Sequence, residues 1–317
     1  MIERHHIDVA LALSRIERRL REGSSPAVAA QVVTWMNSLS PTGHAADYFT
    51  QRSLFPMLLL PVWMAGAGAR EPSDWEFQSD LAYSTINGYY FIRMLDNVMD
   101  DHASVETHLL PMSAFFHAEF QRVYQRYFEH PHPFWGWFDS LWLVSANAVC
   151  REAFTSNMDL NGFREIAANK MCAAKIPLVA VHYRSGETTD LAIWLQFANR
   201  LAHWWQFFDD LMDWCKDYSR GTCTYFLCEG NRQKRPEESL HRWVAREGFE
   251  WGIETLLQWM RDIRELSIGL RSSAADTFLD DRAQLFRAIV DRTLPGVKTL
   301  AQLATVMECE PQMPVQQ

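Results

Sequence analysis

Asp209, Asp213 and Asp217 recur every fourth residue in the stretch Gln206-Phe-Phe-Asp209-Asp210-Leu-Met-Asp213-Trp-Cys-Lys-Asp217. Residues four apart on a helix lie one above the other, so these carboxylates form a column of negative charge. Like charges held that close repel unless a cation sits among them. Mg2+ meets the need, because it takes oxygen ligands, keeps several waters, and is held by one or two carboxylates together with substrate phosphates. The column therefore points to a phosphate-bearing substrate as much as to a metal. The competing reading is a solvated acidic helix face. Against it stand Trp204, Trp205, Phe207, Phe208, Leu211, Met212 and Trp214, which surround the acids and make this helix apolar on most sides.

A second acidic cluster, Asp96-Asn-Val-Met-Asp100-Asp101, ends the apolar run that starts at Tyr89. Asp96 and Asp100 share a helical face, and two such columns on facing helices would bracket metal ions from both sides. Asp101 lies about 100° off that face at 3.6 residues per turn. The sequence leaves open whether it and Asn97 are ligands.

The two clusters together resemble the class I isoprenoid synthases: the trans-prenyl diphosphate synthases, the squalene and phytoene synthases and the class I terpene cyclases. Asp96 to Asp100 is similar to their first aspartate-rich motif, with Asn97 in place of a second aspartate. Gln206, Asp209, Asp210, Asp213 and Asp217 resemble the second, and Lys216 and Arg220-Gly221 match its cyclase and squalene synthase variants. Lys175-Ile-Pro-Leu, Gly186 and Phe197-Ala198 are similar to the lysine-bearing helix and its successor in the prenyl diphosphate synthases. Arg52-Ser-Leu-Phe-Pro56 looks like a worn copy of their Arg-Pro segment. The likeness runs from about residue 48 to about residue 230.

That resemblance implies one all-α domain over residues 1–317, a helical bundle around a central substrate cavity, with residues 308–317 as a loose tail. It implies Mg2+ held by Asp96, Asp100, Asp209, Asp213 and Asp217, and a prenyl diphosphate bound by Arg93, Lys175, Arg220 and Tyr225. Asp96, Asp100, Lys175 and Arg220 are then the groups on which catalysis turns. For each basic residue the plainer alternative is a surface ion pair. A homodimer is the resembled family's habit.

The departures are informative as well. Phe55 precedes Pro56 where the prenyl diphosphate synthases carry an arginine, and His102-Ala-Ser-Val-Glu106 has no arginine after the first motif. A site for two diphosphates needs such donors, so ordinary elongation with isopentenyl diphosphate is not expected. Three readings follow. The first is a terpene synthase that ionises one prenyl diphosphate and cyclises or rearranges the cation. The second is a prenyltransferase with another acceptor, either a second prenyl chain or an unrelated nucleophile. The third is a silent regulatory subunit, which would not need the intact acidic columns.

The elements that must position these groups read as helices throughout, with no strand-period alternation. Helices are expected over residues 7–21, 27–39, 54–67, 76–101 and 112–128, from Phe134, over 163–182 and 190–218, and from Glu237, Trp251 and Asp281. Ser73 or Asp74, and Asp190, are candidate caps. His130-Pro-His-Pro133 reads as a loop, its histidines as linkers rather than ligands. Thirteen tryptophans among 317 residues give an aromatic density that suits either a core or a cavity sheltering a carbocation. Tyr89, Phe91, Trp135, Trp142, Trp204 and Phe208, with Gln206, are the candidates for a cavity wall. A net charge of −9 without basic clusters argues against nucleic acid as a partner. Six scattered cysteines read as reduced thiols, and neither a signal peptide nor a transmembrane segment is expected, which suits a cytoplasmic protein.

Overall fold

A computed structural model describes residues 2–51, 54–67, 74–99, 107–186 and 190–309. Every regular element among the described residues is helical, and there is no strand. None of these helices is long and apolar enough to cross a membrane. The chain sorts into two compact units. One comprises Met1–Val144, Met171–Ala198 and Leu270–Ser272, the other Ser145–Lys170, Asn199–Gly269 and Ser273–Gln317.

In the first unit, α1 (Ile2–Gly23) is followed by α2 (Pro26–Ser38), where Ser25 accepts the Val28 amide and Pro26 opens the first turn. The short α3 (Ala45–Thr50) has too few residues to show a period in the sequence. The helix expected over 54–67 contracts to α4 (Leu60–Ala65), because Pro56 cannot continue a helical ladder while Pro61 is tolerated in a first turn. Next comes α5 (Trp75–Met99), which packs against α1 and α4 and against α6 (Ser113–Gln125), with Asp74 accepting the Phe77 amide at its start. Ser73, Asp100 and the segment 102–106 lie outside the described residues.

Buried side chains surround most of α5, and many of them are polar, so each needs a partner. The Asp80 carboxylate accepts from Arg15 at 2.6 Å, from the Tyr127 hydroxyl at 2.7 Å and from Arg126. One turn on, the Tyr83 hydroxyl donates to Glu119 at 2.6 Å, which also receives Arg19. Ser84 donates to the Phe120 carbonyl. At Gly88 a side-chain methyl would lie 2.9 Å from the Phe120 ring, so the close approach of α5 and α6 depends on the missing Cβ.

The aromatic-rich helix is α7 (Phe134–Phe154). Before it, His132 accepts the Phe134 amide and His130 stacks on Trp135 at 4.6 Å. The helix expected over 163–182 is two helices, α8 (Leu160–Asn169), capped by Asp159, and α9 (Cys172–Arg184), which packs on α4 and α5. Then α10 (Leu191–Met212) starts at Asp190, whose carboxylate accepts the Ala192 and Ile193 amides.

The second unit continues with α11 (Trp214–Arg220), α12 (Tyr225–Gln233), α13 (Leu240–Trp243), α14 (Phe249–Ser267) and α15 (Ser273–Cys309). Thr224 and Ser239 cap α12 and α13 through their hydroxyls. Phe207, Leu211, Phe226, Trp243 and Leu256 are buried in its core.

Asp80 is 4% exposed, and Asp80→Asn removes the charge that three donors converge on. Because Arg15 and Arg126 reach solvent in part, the expected loss is about 1–3 kcal/mol, read as a lower urea midpoint at an unchanged m-value.

Candidate active site

The second acidic cluster is built at the junction of α10 and α11. The backbone ladder runs through it, since the Asp213 amide donates to the Asp209 carbonyl at 2.8 Å and the Asp217 amide to the Asp213 carbonyl at 3.0 Å. Asp213 itself departs from helical geometry, with φ −96° and ψ 7°, and the helix expected as one piece is two. The four-residue register survives this break. Asp209 and Asp213 are exposed and Asp217 is half-buried, while Phe207 and Leu211 turn inward. Lys216 reaches the Asp213 carboxylate at 3.4 Å, and Arg220 is exposed at the end of α11 just before Gly221, whose φ of +70° closes the helix.

Asp210, one residue off the column, is buried. Burial pushes its carboxyl up to about 7, against the opposing hydrogen bond from the Gln206 amide at 3.0 Å. It is the site residue the column argument passes over. The signal was present in the spacing, because a residue 100° from Asp209 must face the apolar side of the same helix.

In the first unit Asp96 lies in the last turn of α5, and Arg93, one turn earlier, reaches it at 3.0 Å. Of the Asp96–Asp100 pair only Asp96 falls within the described residues. Lys175 is buried in α9, and burial pulls its ammonium down to about 8. No acid lies within ion-pairing distance of it among the described residues. A buried ammonium without a counter-charge is a costly feature for a fold to keep, and it is a ready receptor for an anion.

The aromatic candidates divide. Phe91 and Trp142 are half-buried, 5.2 Å apart, and share the His117 ring at 5.1 and 4.9 Å. Tyr89 is half-buried against Tyr48 and Phe49, and burial drives its phenol well above the ordinary value. Phe208 stacks on Trp204 with centroids 5.4 Å apart. Trp135 and Trp204 are packing residues rather than an accessible wall, since each is at most 5% exposed. Their indole N–H groups donate to the Phe128 and Leu256 carbonyls. Tyr225 packs its ring against Phe163 and Phe207.

Among the described residues no three His, Cys, Asp or Glu side chains come together as a ready-made metal cage. The donor set nevertheless suits Mg2+ in type, because that ion takes hard oxygens and completes its shell with water and phosphate. Asp209 and Asp213 are exposed, with Asp213 paired to Lys216 at 3.4 Å.

Lys175 generates a prediction with a definite sign. Between about pH 8 and the ordinary lysine value near 10.5 the unfolded chain holds a proton that the folded one has released, so stability rises with pH there. Below pH 8 the full penalty applies. Lys175→Met is expected to stabilise the protein at pH 7 by roughly 1–3 kcal/mol and to flatten that rise, both readable from denaturation curves across pH 7–10.5.

No protein-family model and no curated protein matches the sequence. Solved structures do. A geranylgeranyl pyrophosphate synthetase from the archaeon Geoglobus acetivorans superposes with a TM-score of 0.65 at 14% identity, over 90% of this chain and 98% of that one. A farnesyl diphosphate synthase from T. brucei gives 0.62 at 14%, again over 90% and 98%. A heptaprenyl diphosphate synthase from Staphylococcus aureus gives 0.60 at 11%, over 88% and 96%. At these identities the likeness is one of fold, and the chain has the all-helical fold of the class I isoprenoid synthases.

Proposed function

We propose that the protein ionises one allylic prenyl diphosphate and joins the carbocation to an acceptor other than isopentenyl diphosphate. The observation that carries this reading is the pair of carboxylate clusters, spaced by four, on the fold of the prenyl diphosphate synthases. The neighbours are named for prenyl diphosphate synthesis, which favours transfer over cyclisation. Phe55 is buried where a second diphosphate would need a cation, and this favours a different acceptor.

Mg2+ would neutralise the charge that builds on the departing diphosphate, and the resemblance gives the role of holding it to the aspartates of each acidic motif, Asp96 in one and Asp209, Asp213 and Asp217 in the other. The remaining work falls to this chain's own groups. Lys175 supplies a buried ammonium to the diphosphate oxygens, and an anion beside it raises its affinity for its proton, so the pair stays charged at neutral pH. Arg220 adds an exposed guanidinium. Arg93, which pairs with Asp96 at 3.0 Å, would offer a further guanidinium to the diphosphate. The half-buried faces of Phe91 and Trp142, 5.2 Å apart, would attract the cation, by about 0.5–2 kcal/mol each, and keep water from quenching it.

The clustering of Phe91, His117 and Trp142 favours a second reading, a terpene synthase that cyclises or rearranges the same cation. Incubation with magnesium and geranyl, farnesyl or geranylgeranyl diphosphate, each alone and each with isopentenyl diphosphate, separates the two. Diphosphate assay and mass spectrometry of the organic extract are the readouts. A product larger than one prenyl unit without isopentenyl diphosphate supports transfer. A hydrocarbon or alcohol of unchanged carbon number supports the synthase. Incorporation of isopentenyl diphosphate, or no diphosphate release with any substrate, overturns the proposal.

Asp96→Ala and Asp213→Ala are each expected to slow diphosphate release by about 100-fold or more with an unchanged helical circular dichroism spectrum, because neither side chain is buried. Chelation of magnesium should stop turnover, and persistence of activity without the ion would sink the metal assignment.

A further inference from the structure

Cys223 lies in the short link between α11 and α12, and Cys228 in the first turns of α12. Their sulfur atoms are 3.4 Å apart, and both side chains are partly exposed. Of the other thiols, Cys150 and Cys215 are exposed and Cys172 is buried. We propose that Cys223 and Cys228 form a reversible thiol–disulfide site, oxidised by a hydroperoxide, which fastens the segment following Arg220 to the start of α12.

The geometry assigns unequal roles. The Cys228 sulfur accepts the Met158 amide at 3.3 Å and lies 3.4 Å from the Cys223 sulfur. Burial, and then the neighbouring Cys228, push the Cys223 thiol up to about 12, which makes it the S–H partner. Cys228 is therefore the attacking sulfur and Cys223 the resolving one. In the first step the Cys228 thiolate attacks a peroxide oxygen; an S–O bond forms, the O–O bond breaks, and the leaving hydroxide takes up a proton as water. In the second, the Cys223 sulfur attacks the Cys228 sulfenic acid. The S–S bond forms, the S–O bond breaks, and the hydroxyl leaves as water with the Cys223 proton. Two thiols and one hydrogen peroxide thus give one disulfide and two waters, and a dithiol reductant restores the pair.

The site stands apart from the proposed catalysis, and its test needs no turnover. Trypsin cuts after Arg220 and Arg232, so both cysteines fall in the single peptide 221–232. The full-length protein is treated with hydrogen peroxide, alkylated under denaturing conditions and mapped by mass spectrometry. The expected result is a peptide 221–232 two hydrogens lighter and closed to alkylation, with alkylation regained after dithiol reduction and with Cys172 alkylated throughout. Cys223→Ser should leave Cys228 as a sulfenic acid captured by dimedone, whereas Cys228→Ser should leave Cys223 unmodified. Alkylation of both cysteines after peroxide, or a disulfide from either one to Cys215, overturns the site. Capture of a sulfenic acid on Cys223 in the Cys228→Ser protein overturns the order of attack.

Discussion

Repulsion between stacked carboxylates is the constraint around which the second unit is built. Asp209, Asp213 and Asp217 keep a four-residue register, yet the helix that bears them must also bury Phe207 and Leu211. The two demands are met by direction: Asp209 and Asp213 take the solvent side with Asp217 half-buried, and the ladder relaxes at Asp213, where φ and ψ leave the helical region while the amide still reaches Asp209. Exposure lets water screen Asp209 and Asp213. Asp210, on the other face, has no such relief, and its carboxyl is driven toward the neutral form.

The first unit meets the opposite difficulty. α5 is buried on most sides and still carries Asp80, Tyr83 and Ser84, whose polar groups all find partners. Arg15, Arg126 and Tyr127 on Asp80, with Glu119 on Tyr83, anchor its first half to α1 and α6. The last turn carries the Arg93–Asp96 pair at 3.0 Å beside the buried Met94 and Asn97. Lys175 goes against this pattern, as a buried ammonium with no acid beside it among the described residues. A fold that satisfies Asp80 three times over and gives Lys175 no acid among the described residues is spending stability at a point where the proposed reaction brings an anion.

Legible in the chain alone were the helical class, the places of most helices, the caps at Asp74 and Asp190, and the four-residue register of the acids. These depend on local backbone chemistry and on a period that can be counted. Only the tertiary structure decided the breaks at residues 170–171 and at Asp213, since neither carries a proline or glycine to announce it. It also decided which aromatics are spent. Trp135 and Trp204 look in the sequence like Phe91 and Trp142, and what separates them is whether a backbone carbonyl from elsewhere in the chain reaches the indole nitrogen. The contrast between Asp80 and Lys175 is of the same kind, because burial and the partners of a charge are set by neighbours remote in sequence, which no spacing rule encodes.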